Sequence, residues 1–177
     1  MTPNFRLYVT EQKFVPDFYD RAITHLVSIG NVGEKKPFIS HWPKKPMVCR
    51  VEFSDVTNMD TPVCFHATAP DENHVNKIIN FGNHIKRCLD AGEKVNLLCH
   101  CAAGISRSTA AAFVIVNTIK GPGFEQKCLQ VIYDARPIMC PNVLVVRLAD
   151  KIMNVGGKMK EVVEKYNKYA WDISYQT

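Results

Sequence analysis

A cysteine and an arginine with five uncharged residues between them, Cys101-Ala102-Ala103-Gly104-Ile105-Ser106-Arg107, form the stretch of this chain whose residue types and spacing most plainly imply chemistry. A loop that short must curl, and curling turns the backbone N–H groups of Ala102, Ala103, Gly104, Ile105 and Ser106 toward a common centre. A helix beginning near Arg107 adds the positive end of its dipole to the same hollow. Such a hollow suits a tetrahedral dianion, and the Arg107 guanidinium can grip two of its oxygens at once, as a lysine could not. Cys101 stands at the floor, where N–H groups and guanidinium favour thiolate over thiol, and the thiolate is the competent nucleophile. Ser108 can donate to the Cys101 sulfur and ease its departure when a covalent intermediate is hydrolysed. Gly104 lets the backbone approach the bound anion closely.

The flanking residues supply the elements that such a loop needs. Residues 95–99 are short, apolar and preceded by Ala91-Gly92, which predicts a buried strand. From Arg107 onward, hydroxyl residues and alanines lead into an apolar run, which predicts a packed helix.

The run His100-Cys101-Ala102-Ala103-Gly104-Ile105-Ser106-Arg107-Ser108 resembles the signature loop of the cysteine-dependent protein tyrosine phosphatases, and its form is similar to the dual-specificity branch. Short loops and the run RPIMCPN look more like small bacterial or phage members than multidomain ones. The resemblance spans roughly residues 23–152. It implies an α/β fold with a central, mostly parallel sheet flanked by helices. It also implies nucleophile, phosphate-binding and intermediate-hydrolysis roles for Cys101, Arg107 and Ser108, with His100 in support. The uncharged loop residues Ala102, Ala103, Ile105 and Ser106 lack the basic residues that phosphoinositide phosphatases of this superfamily carry. A phosphorylated protein, phosphotyrosine first, is therefore the expected substrate, and neither cofactor nor metal is expected. Two rival readings stay open, a silent adaptor that binds phosphorylated partners and a phosphatase of nucleotides or small molecules. Metal ligation by Cys99, His100 and Cys101 is disfavoured, because no second Cys/His pair stands at zinc-finger spacing.

The reaction also needs a carboxylic acid to protonate the leaving group and later to serve as base for water. Asp55, Asp60 and Asp71 are the candidates. Residues 48–53 predict a strand that delivers Ser54-Asp55 at its end, and in α/β proteins such ends gather at the active crevice. VEFSDV also resembles the family's strand-then-Asp pattern, so Asp55 is preferred. Asp71 lies 30 residues before Cys101, a spacing similar to that of many dual-specificity phosphatases, yet Pro70-Asp71-Glu72 also reads as a first helical turn.

Elsewhere, residues 5–10 and 23–29 predict strands, with His25 as a satisfied core histidine. Residues 31–47 carry four prolines or glycines among four lysines and predict an irregular loop. Trp42 in its middle either flanks a substrate ring, with Lys44 and Lys45 attracting acidic substrate, or is a buried pin. Apolar spacing predicts helices over 74–89 and 124–135, in the first of which His74 and His84 read as surface or packing residues. Arg136-Pro137 ends the second. Arg136 and Asn142 resemble the family's Arg and Pro-Asn pair, which implies support of the site's loops. Residues 158–177 predict a helical extension that packs on the domain or mediates dimerisation.

A chain of 177 residues with 46% hydrophobic and 22% charged residues fits one globular domain, residues 1–177. A formal charge of +5 suits an acidic substrate but is too dispersed to predict nucleic-acid binding. Seven irregularly spaced cysteines do not predict a disulfide framework, and the chemistry needs a reduced thiol, so a cytoplasmic setting is expected. No signal peptide, membrane span, myristoylation site or prenylation box is read in the sequence, so no membrane anchor is expected.

Overall fold

The structure, a computed structural model, describes residues 3–58 and 67–174. Four strands, β1 (Phe5–Glu11), β2 (His25–Gly30), β3 (Met47–Glu52) and β4 (Val95–Cys101), form one sheet in the order β1-β4-β2-β3. All three strand pairs are parallel. Five α-helices follow the chain order α1 (Glu72–Asp90), α2 (Arg107–Lys120), α3 (Glu125–Ala135), α4 (Val143–Met153) and α5 (Lys158–Ser174).

The central strand β4 has neighbours on both edges, so it must be apolar on both faces, as its near-continuous burial shows. Its period-two alternation divides two environments. Val95, Leu97, Cys99 and Cys101 face the helices and join the main core with Val27, Ile29, Phe53 and the apolar residues of α1 and α2. Leu98 faces the other way, into a smaller cluster with Val15, Leu26 and Trp42. That second face is covered by a 3₁₀ segment, Gln12–Phe18, and by the loop 31–46 that crosses from β2 to β3.

β4 runs two residues further than the sequence suggests, through His100 to Cys101, because β1 pairs with it as far as Glu11↔Cys101. The nucleophile candidate is thus the last residue of the central strand. α2 is buried on every side from Arg107 to Asn117 between the sheet and helices α1, α3 and α4, with Ala110 to Ala112 allowing close approach and Phe113 and Ile115 filling the larger gaps.

The predicted C-terminal helix exists and packs on this core, with Met159 and Val163 fully buried. The Asp150 carboxylate of α4 accepts from the N–H groups of Gly157 at 2.6 Å and Met159 at 2.8 Å, satisfying orphan donors at the start of α5.

Trp42 is only 4% exposed and its indole N–H donates to the Pro16 carbonyl at 3.2 Å. It therefore pins the loop onto the sheet and cannot flank a substrate ring. Lys45 is equally committed, donating to the carbonyls of Ile39 at 2.9 Å and Ser40 at 2.5 Å. Neither fits the substrate-facing alternative, because the loop has no other apolar anchor of that size to cover Leu26 and Leu98. Trp42→Ala is expected to lower the unfolding free energy by about 3–5 kcal/mol in urea titration, the usual cost of emptying a buried Trp site.

Candidate active site

The loop between β4 and α2 is held in shape from outside. The Ala102 carbonyl accepts from the Gln12 N–H at 3.3 Å, that of Ile105 from the Cys140 N–H at 2.9 Å, and that of Ser106 from the Asn142 N–H at 3.2 Å. Arg136 takes the two between them, its Nη2 donating to Ala103 O at 3.2 Å and its Nε to Gly104 O at 3.1 Å. The Thr109 hydroxyl also donates to Ile105 O. All five carbonyls from Ala102 to Ser106 are therefore turned outward. None of the N–H groups from Ala102 to Arg107 donates to an acceptor among the described residues, and those of Ala103 to Arg107 share peptide units with the outward carbonyls, so they are left to face an anion in the hollow.

Gly104 has φ +67°, and a Cβ there would come within 2.6 Å of the Thr10 carbonyl carbon and oxygen. Glycine is thus demanded here by a close approach to the end of β1. The loop curls back over the neighbouring strand, and only glycine fits both the conformation and the gap.

Cys101 is buried, and its Sγ lies 3.3 Å from Ser108 Oγ. Both ends of this pair are fixed, one by the sheet and one by the first turn of α2. Ser106 is the residue at the N-terminal boundary of α2, but its hydroxyl does not cap the helix. It donates to Asp55 Oδ1 at 2.6 Å instead, so the helix N-terminus keeps unsatisfied donors near the hollow.

Arg107 is almost fully buried. Its Nη1 donates to Asn31 Oδ1 at 3.1 Å and to Phe53 O at 2.8 Å, which sets the plane of the guanidinium. Its buried Nε makes no hydrogen bond among the described residues and lies 3.8 Å from Asp55 Oδ2. A buried, unsatisfied N–H on a cation is a position prepared for an anionic acceptor.

Asp55 follows β3 and is drawn to this rim by three groups. Besides Ser106 and Arg107, the Asn142 side chain donates to its Oδ1 at 2.8 Å and to Val56 O at 3.1 Å. Asn142 is itself fully buried as the N-cap of α4, accepting from the Val145 N–H at 3.0 Å. Asp71 behaves differently. It is the N-cap of α1, its Oδ1 accepts from the His74 N–H at 2.9 Å, and that bond holds its carboxyl below the usual carboxylate range. Asp60 lies outside the described residues.

His100 points to the loop-covered face, where its Nε2 is 2.8 Å from Ser28 Oγ. Arg50 Nη1 donates to the same hydroxyl at 3.0 Å, and Arg50 Nη2 to Glu34 O at 2.8 Å. Burial first, and the Arg50 charge second, lower the imidazole pKa from 6.5 to about 4. Cys99, two residues before Cys101, shares its face, and burial pushes its thiol far up, so it is an inert core thiol.

Arg136 contacts the loop's carbonyls, Asn142 contacts Asp55 and Val56, and His100 contacts Ser28 behind the loop. Asn31, Ser28 and Arg50 were missed. Asn31 carried a readable signal, since a polar residue directly after the apolar strand β2 lies at the carboxyl edge of a parallel sheet. Ser28 and Arg50 carried none, because each is an isolated polar residue in a strand whose partner is set by register.

No family model matches the chain. It is 34% identical over 129 residues to dual specificity protein phosphatase 15 of Rattus norvegicus and 35% identical over 121 residues to that of Homo sapiens. The chain belongs to the dual-specificity branch of the cysteine-dependent protein phosphatases. The aligned stretches cover 72% and 68% of this chain but only 45% and 33% of those relatives, so the chain spans less than half of their length. A solved structure of DUSP15 superposes with a TM-score of 0.58 at 25% identity, covering 93% of this chain and 95% of that one. Human DUSP28, at 18% identity and TM-score 0.59, shares the fold. Among the described residues no helix is long and apolar enough to cross a membrane.

The low pKa of His100 makes acid destabilising, because the unfolded chain takes up a proton near pH 6.5 that the folded chain refuses until about pH 4. Stability linked to this group is present above pH 6.5 and is lost as pH falls toward 4. Between pH 7 and pH 5 the loss is about 2 kcal/mol, and urea titrations at both pH values are expected to show the pH-dependent loss smaller by about that amount in His100→Gln than in the wild type.

Proposed function

We propose that this chain hydrolyses phosphomonoesters on proteins, phosphotyrosine first, through a phosphocysteine intermediate on Cys101. The observation that carries the reading is the outward locking of five consecutive loop carbonyls around a buried thiol, with the unsatisfied Nε of a buried arginine beside it. In this reading the N–H groups of Ala102 to Ser106 and the Arg107 guanidinium hold the three equatorial phosphoryl oxygens, and charge builds on them in the transition state. The Cys101 sulfur attacks in line, and the ester oxygen departs with a proton from Asp55. Water, relieved of a proton by Asp55, then attacks the phosphocysteine. Ser108 donates to the departing sulfur. The 3.3 Å Cys101–Ser108 separation supports that last step.

Asp55 is favoured over Asp71 as the acid. Its carboxylate stands at the loop's rim beside Arg107, whereas that of Asp71 is engaged by the backbone of α1 and held in its ionised form. The uncharged side chains at Ala102, Ala103, Ile105 and Ser106 support a single phosphate over a polyphosphorylated inositol ring.

Steady-state hydrolysis of an aryl phosphate, with EDTA and reductant present, tests the assignment. Cys101→Ser is expected to lose turnover. Asp55→Ala is expected to lower kcat by roughly a hundredfold or more. Asp71→Ala should leave kcat unchanged while costing about 1 kcal/mol of stability as a lost helix cap. If Asp71→Ala loses the activity and Asp55→Ala keeps it, the acid assignment falls. If the reduced wild type binds a phosphotyrosine peptide without turning it over, the chain is a binding module and not an enzyme.

Ser108→Ala is expected to slow breakdown of the intermediate more than its formation. Rapid mixing should then reveal a burst of phenol release with phosphoenzyme trapped by acid quench, whereas an unchanged steady state without a burst would remove Ser108 from the mechanism.

A further inference from the structure

We propose that His25, His84 and Cys88 form a binding site for a zinc-type transition-metal ion, remote from the Cys101 loop. One ligand atom from each residue lies within 4.8 Å of the others. The Cys88 Sγ and His84 Nε2 are 3.5 Å apart. With Zn–S of about 2.3 Å and Zn–N of about 2.0–2.1 Å, the S···N edge of a zinc tetrahedron is about 3.6 Å, so this edge already has coordination dimensions. The His25 and His84 rings lie with centroids 5.5 Å apart, and small side-chain rotations would bring the third donor to the same distance.

The elements that deliver these groups are rigid. His84 and Cys88 stand four residues apart on one face of α1, the spacing that aims two side chains at one point. His25 opens β2 and, in step with Val27 and Ile29, faces the helices. The Thr24 hydroxyl sits 2.8 Å from His25 Nδ1. That contact leaves Nε2 as the metal-binding nitrogen and provides the outer hydrogen bond that ligating histidines ordinarily have. Glu93 acts electrostatically on both Cys88 and His25, which favours a cation there, and a water would complete four-coordination.

A set of two imidazoles and one thiol selects a borderline or soft ion such as Zn²⁺ or Co²⁺ over Mg²⁺ or Ca²⁺. A surface groove lined by Met47, Phe81, His84 and Arg87 gives an ion access. His25 pairs in register with Leu97, four residues before Cys101 on β4, which places the site about 13 Å along the strand from the catalytic loop. The ion would tie the start of β2 to the end of α1, and the Cys88 proton would pass to solvent on binding.

Cobalt absorption on this chain tests this, in a Cys101→Ser background so that the reactive thiol contributes nothing. One equivalent of Co²⁺ is expected to give tetrahedral d–d bands and a thiolate-to-cobalt charge-transfer band, both displaced by Zn²⁺. Adding Cys88→Ser should abolish the charge-transfer band, and adding His84→Gln should weaken binding by roughly a hundredfold. Zn²⁺ should also raise the melting temperature of the background protein and not that of either double variant. Should Cys88→Ser fail to fold, as judged by circular dichroism, the His84→Gln protein carries the test. Absence of a thiolate band at one equivalent, or undiminished binding in the folded variants, would overturn the proposal.

Discussion

Five consecutive carbonyl oxygens, from Ala102 to Ser106, would repel an anion if any of them faced the hollow between β4 and α2. Each is taken up by a donor from elsewhere in the chain: Gln12, Arg136 twice, Cys140 and Asn142. A peptide unit has its N–H and C=O on opposite sides, so fixing the carbonyls outward leaves the amides inward. The outward set of the loop's carbonyls therefore depends less on its own side chains than on residues far away in sequence that hold its outer rim.

The same donors join the site's separate parts. Asn142 caps α4 with its side-chain oxygen and, with its side-chain nitrogen, holds both Asp55 and the Val56 carbonyl. Arg136 spans the loop and reaches Glu11 at the end of β1 at 3.5 Å. Hydrogen bonds from Ser106 and from the Asn142 amide fix the position of the Asp55 carboxylate relative to the thiol, where a loop without such partners could not. Loss of such a bond leaves a buried amide or guanidinium unsatisfied, which costs more than the bond contributes.

The two faces of β4 carry different duties. Toward the helices, Cys99 and Cys101 pack into the apolar core, whose small residues let α2 approach the sheet. Toward the loop, His100 anchors a chain of polar groups through Ser28 and Arg50 to the Glu34 carbonyl. Thus the loop that supplies Asn31 to Arg107 is braced by the strand that ends in Cys101. A neutral imidazole suits that position, because a charged one beside Arg50 would be repelled and desolvated at once.

The sequence by itself carried the candidate reaction centre and the succession of elements. Thiol, arginine and hydroxyl lie within eight consecutive residues, so their chemistry survives without knowledge of the fold, and the apolar periods that mark strands and helices are equally local. Asp55 was readable to the extent that it follows a strand, but its separation from Asp71 rests on contacts with Ser106, Arg107 and Asn142, between 51 and 87 residues away. The close approach of Gly104 to Thr10 was not legible, since it depends on which strand lies beside β4. Trp42 could be a wall or a pin until the second sheet face was seen to need a cover. Strand order, and the meeting of His25 with His84 and Cys88, were likewise decided only by tertiary structure, because pairing across a sheet and packing of a helix upon it join residues whose local sequence carries no record of the partner.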